Sequence, residues 1–106
     1  MMISLLRLIP LSGQRDAILQ ILQTMIAPTR AKSGSMNCGV YEESDFDRSI
    51  LYLEQWQSEE DLQRHVQSSL YLRVLTAMDL AKDPPQVSFN KISRTQNVEL
   101  IEALRK

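Results

Sequence analysis

One cysteine, one histidine, three glycines and four prolines are spread over 106 residues. The lone Cys38 excludes an internal disulfide framework, and the lone His65 excludes a zinc site built from Cys and His within one chain. There is no G-x-G-x-x-G, no P-loop, no nucleophile elbow and no His-rich cluster, so no nucleotide cofactor is indicated and none, nor a metal, is expected. Neither sign of charge dominates: 12 Lys and Arg stand against 13 Asp and Glu, for a net charge of -1. Without a basic excess, electrostatic binding of nucleic acid is disfavoured. No apolar stretch approaches the roughly 20 residues that span a bilayer. The apolar run Met1 to Leu11 is interrupted by Arg7, has no basic region before it and no small-x-small site after it. It therefore reads as structure rather than as a signal peptide, and the chain as cytoplasmic.

What is present is a composition of 43% hydrophobic and 24% charged residues, enough for one globular domain and too short for two. A domain of this size buries only about two-thirds of the surface its unfolded chain exposes, which makes subunit pairing a natural source of added stability.

Periodicity orders the elements. Ile3 to Ile9 is an unbroken Ile/Leu-rich run stopped by Pro10 and reads as a first strand. Ser12 is a candidate cap for a first helix, in which Ile18, Ile21, Leu22 and Met25 fall on one face and Pro28 marks an end or a kink. The turn Ser33-Gly34-Ser35 precedes a second strand, Met36 to Glu42. The polar stretch Glu43 to Ser49 then joins it to a third, Ile50 to Trp56, in a hairpin. Ser58 followed by Glu59, Glu60 and Asp61 opens a second helix, bent around Ser68-Ser69 and stopped by Asp83-Pro84-Pro85. Val87 to Ser93 is a fourth strand. Val98, Ile101 and Leu104 give the tail after Arg94 a short helix that packs on the domain or on a partner, with a strand reaching a partner as the other option. The order is βαββαβ: an α+β, ferredoxin-like domain over residues 1–94 with a four-stranded antiparallel sheet and both helices on one face. Leu5-Leu6 and Ile50-Leu51-Tyr52-Leu53 are apolar on both alternating faces, so a second cover is expected, most simply another copy of the same sheet.

The segment Glu54-Gln55-Trp56-Gln57-Ser58, followed by Leu62, His65 and Ser68, has the spacing E-x-W-x-S-x-x-x-L-x-x-H-x-x-S. It resembles the antibiotic biosynthesis monooxygenase (ABM) family of dimeric α/β-barrel proteins, and the likeness covers the chain up to Arg94. The resemblance implies a homodimer whose sheets face each other, with a pocket in each subunit between the sheet and its helices. The family's members include cofactor-independent monooxygenases of quinols or aromatic polyketides, haem-degrading enzymes, an isomerase of a phosphorylated sugar, and proteins of no known activity. The asparagine, tryptophan and histidine that the resemblance implies for haem-degrading relatives align with Leu6, His65 and Leu75, so none of the three is retained and a His-ligated haem would need a different site.

His65 shares a helical stripe with Leu62 and Val66 and should point at the sheet, where it either takes a phenolic proton or is a hydrogen-bonded core histidine. Trp56 shares strand parity with Ile50, Tyr52 and Glu54 and either walls a flat substrate or fills the core. Glu54 is the odd member of that face; a salt bridge, with Arg7 as the available partner, is the simplest account. Arg7 can alternatively hold an anionic substrate. Tyr52, Tyr71 and Asn37 are candidate substrate contacts, Tyr41 and Asn90 lesser ones, and Cys38 reads as a small buried residue rather than a nucleophile. The expected activity is oxygenation of a small aromatic, quinol or polyketide-like molecule that itself supplies the electrons, with His65 and Trp56 as the catalytic pair. The alternatives are a ligand-binding or stress-response module, or an isomerase of a phosphorylated carbonyl compound.

Overall fold

Side-chain alternation decides the sheet. A computed structural model describes residues 1–44, 48–82 and 84–106; the middle of the Glu43 to Ser49 connection and Asp83 of the helix stop lie outside them. β1 (Met2–Leu8) pairs antiparallel with β3 (Ile50–Trp56) on one side and β4 (Gln86–Lys91) on the other, and β2 (Ser35–Glu42) closes the far edge, in the order β2-β3-β1-β4. The even-numbered residues of β1 and β3 are buried beneath the helices, whereas Ile3, Leu5, Leu51 and Leu53 are half-buried on the opposite face. The doubly apolar runs thus resolve into a closed face and an open one. The ferredoxin-like α+β architecture is the one the element order predicts.

α1 (Arg15–Arg30) seats Ile18, Leu22 and Met25 in the main core. Its start departs from expectation: Gln14, not Ser12, is the cap and makes no side-chain cap bond. Gly13, at φ +79°, lies between Ser12 and the helix, and the Gln14 N–H donates to the Leu11 carbonyl in a turn that leaves Ser12 outside capping range. Pro28 neither ends nor breaks the helix, which runs two residues further. Lacking an N–H, Pro28 frees the Thr24 carbonyl, and Arg73 Nη1 donates to that oxygen at 3.3 Å.

α2 (Glu59–Val66) begins at the expected Ser58 cap, whose Oγ accepts from the Asp61 N–H at 3.2 Å. The anticipated bend is a break: a 3-10 turn over Ser69–Tyr71 leads into a separate α3 (Leu72–Asp79). Ser68 causes it by donating both its hydroxyl, at 2.6 Å, and its N–H, at 3.0 Å, to the His65 carbonyl. α4 (Val98–Leu104) forms in the tail, and none of its residues is buried.

Candidate active site

The functional geometry starts at the C-terminal end of β3. Tyr52, Glu54 and Trp56 project in succession onto the helix side, where α2 delivers His65 from above. Glu54 is fully buried and His65 is 1% exposed. A buried carboxylate requires donors, and Glu54 has them: Trp56 Nε1–H donates to Oε1 at 3.0 Å, Tyr52 O–H to Oε2 at 2.6 Å, and His65 Nε2 lies 2.8 Å from Oε2. On the other side of the imidazole, Lys32 Nζ sits 2.9 Å from Nδ1 and 3.1 Å from Ser68 Oγ. An ammonium only donates, so Nδ1 accepts from Lys32 and the ring proton resides on Nε2, facing Glu54. The result is a chain Lys32 to His65 to Glu54, with Trp56 stacked obliquely on the imidazole at 4.8 Å and Tyr71 edge-on at 5.4 Å.

Lys32 is placed by a turn rather than by a regular element. Gly34 adopts φ +84° and lies so close to Asp61 that a Cβ there would overlap the Asp61 carboxylate. The Gln57 N–H donates to the Gly34 carbonyl at 2.8 Å. These contacts tie the Lys32–Ser35 turn to the first turn of α2, and a cleft of about 330 Å³ opens there, lined by Lys32, Ser33, Trp56, Asp61, Arg64 and His65.

The electrostatics restrict roles. Burial first, then the charge of Glu54, pushes the Tyr52 hydroxyl far above the usual phenol range, and the same two causes push Tyr71 up to about 12. Both are hydrogen-bond donors or spacers at neutral pH, not bases. Burial likewise raises the Cys38 thiol, which lies 3.4 Å from the Tyr52 oxygen, so it is no thiolate nucleophile. Among the described residues no group of three or more His, Cys, Asp or Glu converges as metal ligands would.

Of the residues singled out from sequence, His65, Trp56, Tyr52 and Tyr71 come together around Glu54. Arg7 and Asn37 do not join them. Arg7 projects from the open sheet face and bonds Glu43 through Nε at 2.6 Å, so the expected Arg7–Glu54 bridge is replaced by the contacts of Glu54 described above. Asn37 is opposite Gln55, and its Oδ1 accepts from the Cys38 N–H at 2.9 Å. The irregularity between Ser35 and Asn37 turns it to the open face: without it, the register begun at Ser35 and Trp56 would set residue 37 opposite Glu54. Lys32 went unnoticed in the sequence. Its only signal there is a cation immediately before the Ser33-Gly34-Ser35 turn.

Fold and site together define a ferredoxin-like α+β domain with a buried Glu–His pair at the edge of a cleft. The antibiotic biosynthesis monooxygenase family model matches residues 1–77, and the chain belongs to that family. Among solved structures, Rv0793 from Mycobacterium tuberculosis is similar with 26% identity and a TM-score of 0.81, over 91% of this chain and 98% of that one. A Deinococcus radiodurans protein bearing the family's name superposes with a TM-score of 0.80 at 18% identity, covering 92% of this chain and 97% of its own. One from Nitrosomonas europaea, also bearing that name, gives 0.78 at 13% identity, with 89% and 100% covered. A search of curated proteins finds no match.

Proposed function

We propose that this protein is a homodimeric, cytoplasmic, cofactor-independent monooxygenase that oxidises a small electron-rich aromatic, quinol or polyketide-like molecule. The observation that carries this reading is the polarity of the His65 imidazole. Its Nε2–H is held by the buried Glu54 carboxylate at 2.8 Å, and its Nδ1 is bonded by Lys32, which lines the cleft together with His65. A carboxylate behind an imidazole fixes the tautomer and stabilises the imidazolium formed when the outer nitrogen takes a proton. A phenol or enol entering the cleft loses its O–H proton to Nδ1, and the resulting anion is rich enough in electrons to reduce oxygen. One atom of O2 enters the substrate and the other leaves as water, all four electrons coming from the substrate. Trp56 walls the ring, while Tyr52 and Tyr71 keep the surroundings of the pair dry.

The test is oxygen uptake by metal-stripped protein with a panel of quinols, catechols and hydroxynaphthoquinones. His65→Ala is expected to lose about 10²- to 10⁴-fold of the rate, the usual contribution of a positioned proton acceptor. Undiminished uptake by that variant overturns the role of His65. A second reading, a ligand-binding module without turnover, is favoured by the near-complete burial of Trp56 and His65. Thermal stabilisation by panel members with no oxygen consumed would establish it.

A further inference from the structure

Lys32 occupies the atom on which the proposed chemistry depends. While its ammonium donates to Nδ1 at 2.9 Å, His65 has no lone pair free to accept a proton. Protonating the ring in place would set two cations in contact. Lys32 is also poorly matched where it stands: its partners are a neutral imidazole nitrogen and the Ser68 hydroxyl. Among the described residues no carboxylate forms an ion pair with it. Two of its three N–H groups are used, and the side chain borders the cleft. The neighbouring cation, Arg64, is already paired with Asp61 at 2.7 Å.

We infer that Lys32 holds the substrate's oxyanion, and that the cleft selects molecules with an acidic hydroxyl, phenols or enols that bind as their conjugate bases. This rests on the reading of His65 as proton acceptor and adds the group that makes the transfer favourable. An incoming hydroxyl offers Lys32 a better acceptor than the imidazole. As the ammonium moves onto the substrate oxygen, Nδ1 is released to take that oxygen's proton. The charges then alternate along one line: carboxylate of Glu54, imidazolium of His65, oxyanion of the substrate, ammonium of Lys32. Every neighbour is of opposite sign, which neither the substrate-free arrangement nor a neutral ligand achieves. A substrate without an ionisable hydroxyl leaves Lys32 on Nδ1 and the site closed to proton transfer.

The probe is 4-nitrophenol, which reports its own ionisation by absorbance near 400 nm and whose nitro group withdraws the electron density that reduction of oxygen needs. Titrated at a pH where most of it is neutral in solution, it is expected to bind the parent protein as 4-nitrophenolate. Lys32→Met is expected to lose roughly ten- to hundredfold in affinity for the anion, the range of one charge-assisted hydrogen bond, while Lys32→Arg retains most of it. Lys82→Met, whose backbone N–H is bonded to Ile9 at the far end of the sheet, serves as a charge control and should bind like the parent. Circular dichroism of each variant separates loss of binding from loss of fold. The inference is overturned if the parent binds 4-nitrophenol in its neutral form, if it binds none at millimolar concentration, or if folded Lys32→Met binds the anion as tightly as the parent. Because the readout is ionisation on binding and not oxygen consumption, this result is independent of the uptake assay. Anion binding through Lys32 with no uptake across the panel would retain the subsite and reject the oxygenase.

Discussion

Glu54→Gln isolates the buried carboxylate with minimal change of shape. The parent group accepts from three donors, Trp56 Nε1–H at 3.0 Å, Tyr52 O–H at 2.6 Å and His65 Nε2–H at 2.8 Å. A glutamine side chain brings one acceptor and one NH2 donor. With its oxygen in the Oε2 position, Tyr52 and His65 keep their acceptor, but the NH2 confronts the Trp56 indole, which can only donate. In the reverse orientation the NH2 confronts His65 Nε2–H, and moving the ring proton to Nδ1 would aim it at the Lys32 ammonium 2.9 Å away. Either way at least one buried donor is orphaned, at about 1–3 kcal/mol, and the surviving bonds lose charge assistance worth about 1 kcal/mol each. Easier desolvation of the neutral amide offsets part of this, leaving a destabilisation of about 2–4 kcal/mol. For a chain of this length that lowers the thermal midpoint by roughly 10–20 °C. Urea denaturation at fixed protein concentration should show a lower midpoint at unchanged slope. A variant within about 0.5 kcal/mol of the parent, the range of an ordinary surface substitution, would refute the hydrogen-bond accounting.

Stability should fall at alkaline pH. Burial first, and then the charge of Glu54, raises both Tyr52 and Tyr71, the latter from 10.0 to about 12, so above pH 10 the unfolded chain releases protons that the folded chain retains. Their contribution is complete below pH 10 and declines above it, for Tyr71 through about pH 12 and for Tyr52 beyond that, with a slope approaching about 1.4 kcal/mol per pH unit for each tyrosine; urea midpoints from pH 8 to 11.5 that stay level would contradict it. On the open sheet face, Leu53→Lys is expected to convert a dimer into a folded monomer, because Leu53 is half-buried there among Leu5, Leu51 and Ile3. Light scattering of the parent showing a monomer at tens of micromolar would remove the basis for a sheet-to-sheet dimer.

Strand parity made half of this site legible. Ile50, Tyr52, Glu54 and Trp56 share a face, and the helical stripe that His65 shares with Leu62 turns the imidazole toward it, so Tyr52, Glu54, Trp56 and His65 follow from two periodicities. The partner of Glu54 is not legible because Ile3 to Ile9 is apolar in both parities, so nothing in the sequence says which face Arg7 joins. Only the register, with Arg7 opposite Leu51 and Ser4 opposite Glu54, separates them. Asn37 was lost to a single-residue irregularity that moves every later side chain of β2 to the other face. Lys32 lies 33 residues from His65, and the contact exists only because the pairing of Ser35 with Trp56 brings the Gly34 turn and the α2 cap together at one end of the sheet. A contact assembled by a strand register and two turns leaves no periodic trace.

The position of the polar chain bears on why it exists. One apolar cluster, built from Leu6, Leu8, Ile18, Leu22, Met25 and their neighbours, fills the main core, and a second, of Met2, Trp56 and Leu62, lies apart from it. Glu54 bridges the two: its bonds reach Tyr52 in the first and Trp56 in the second. Apolar side chains of similar volume would serve packing there at least as well, since buried charged networks rarely surpass a hydrophobic replacement in stability. Stability alone therefore gives a domain this small little reason to sequester a carboxylate and an imidazole with a lysine at their outer end. The proposed proton transfer would: it needs a fixed tautomer, a counter-charge behind the ring and a cation where the substrate's negative charge develops, and Glu54, His65 and Lys32 stand in that order from the core to the cleft.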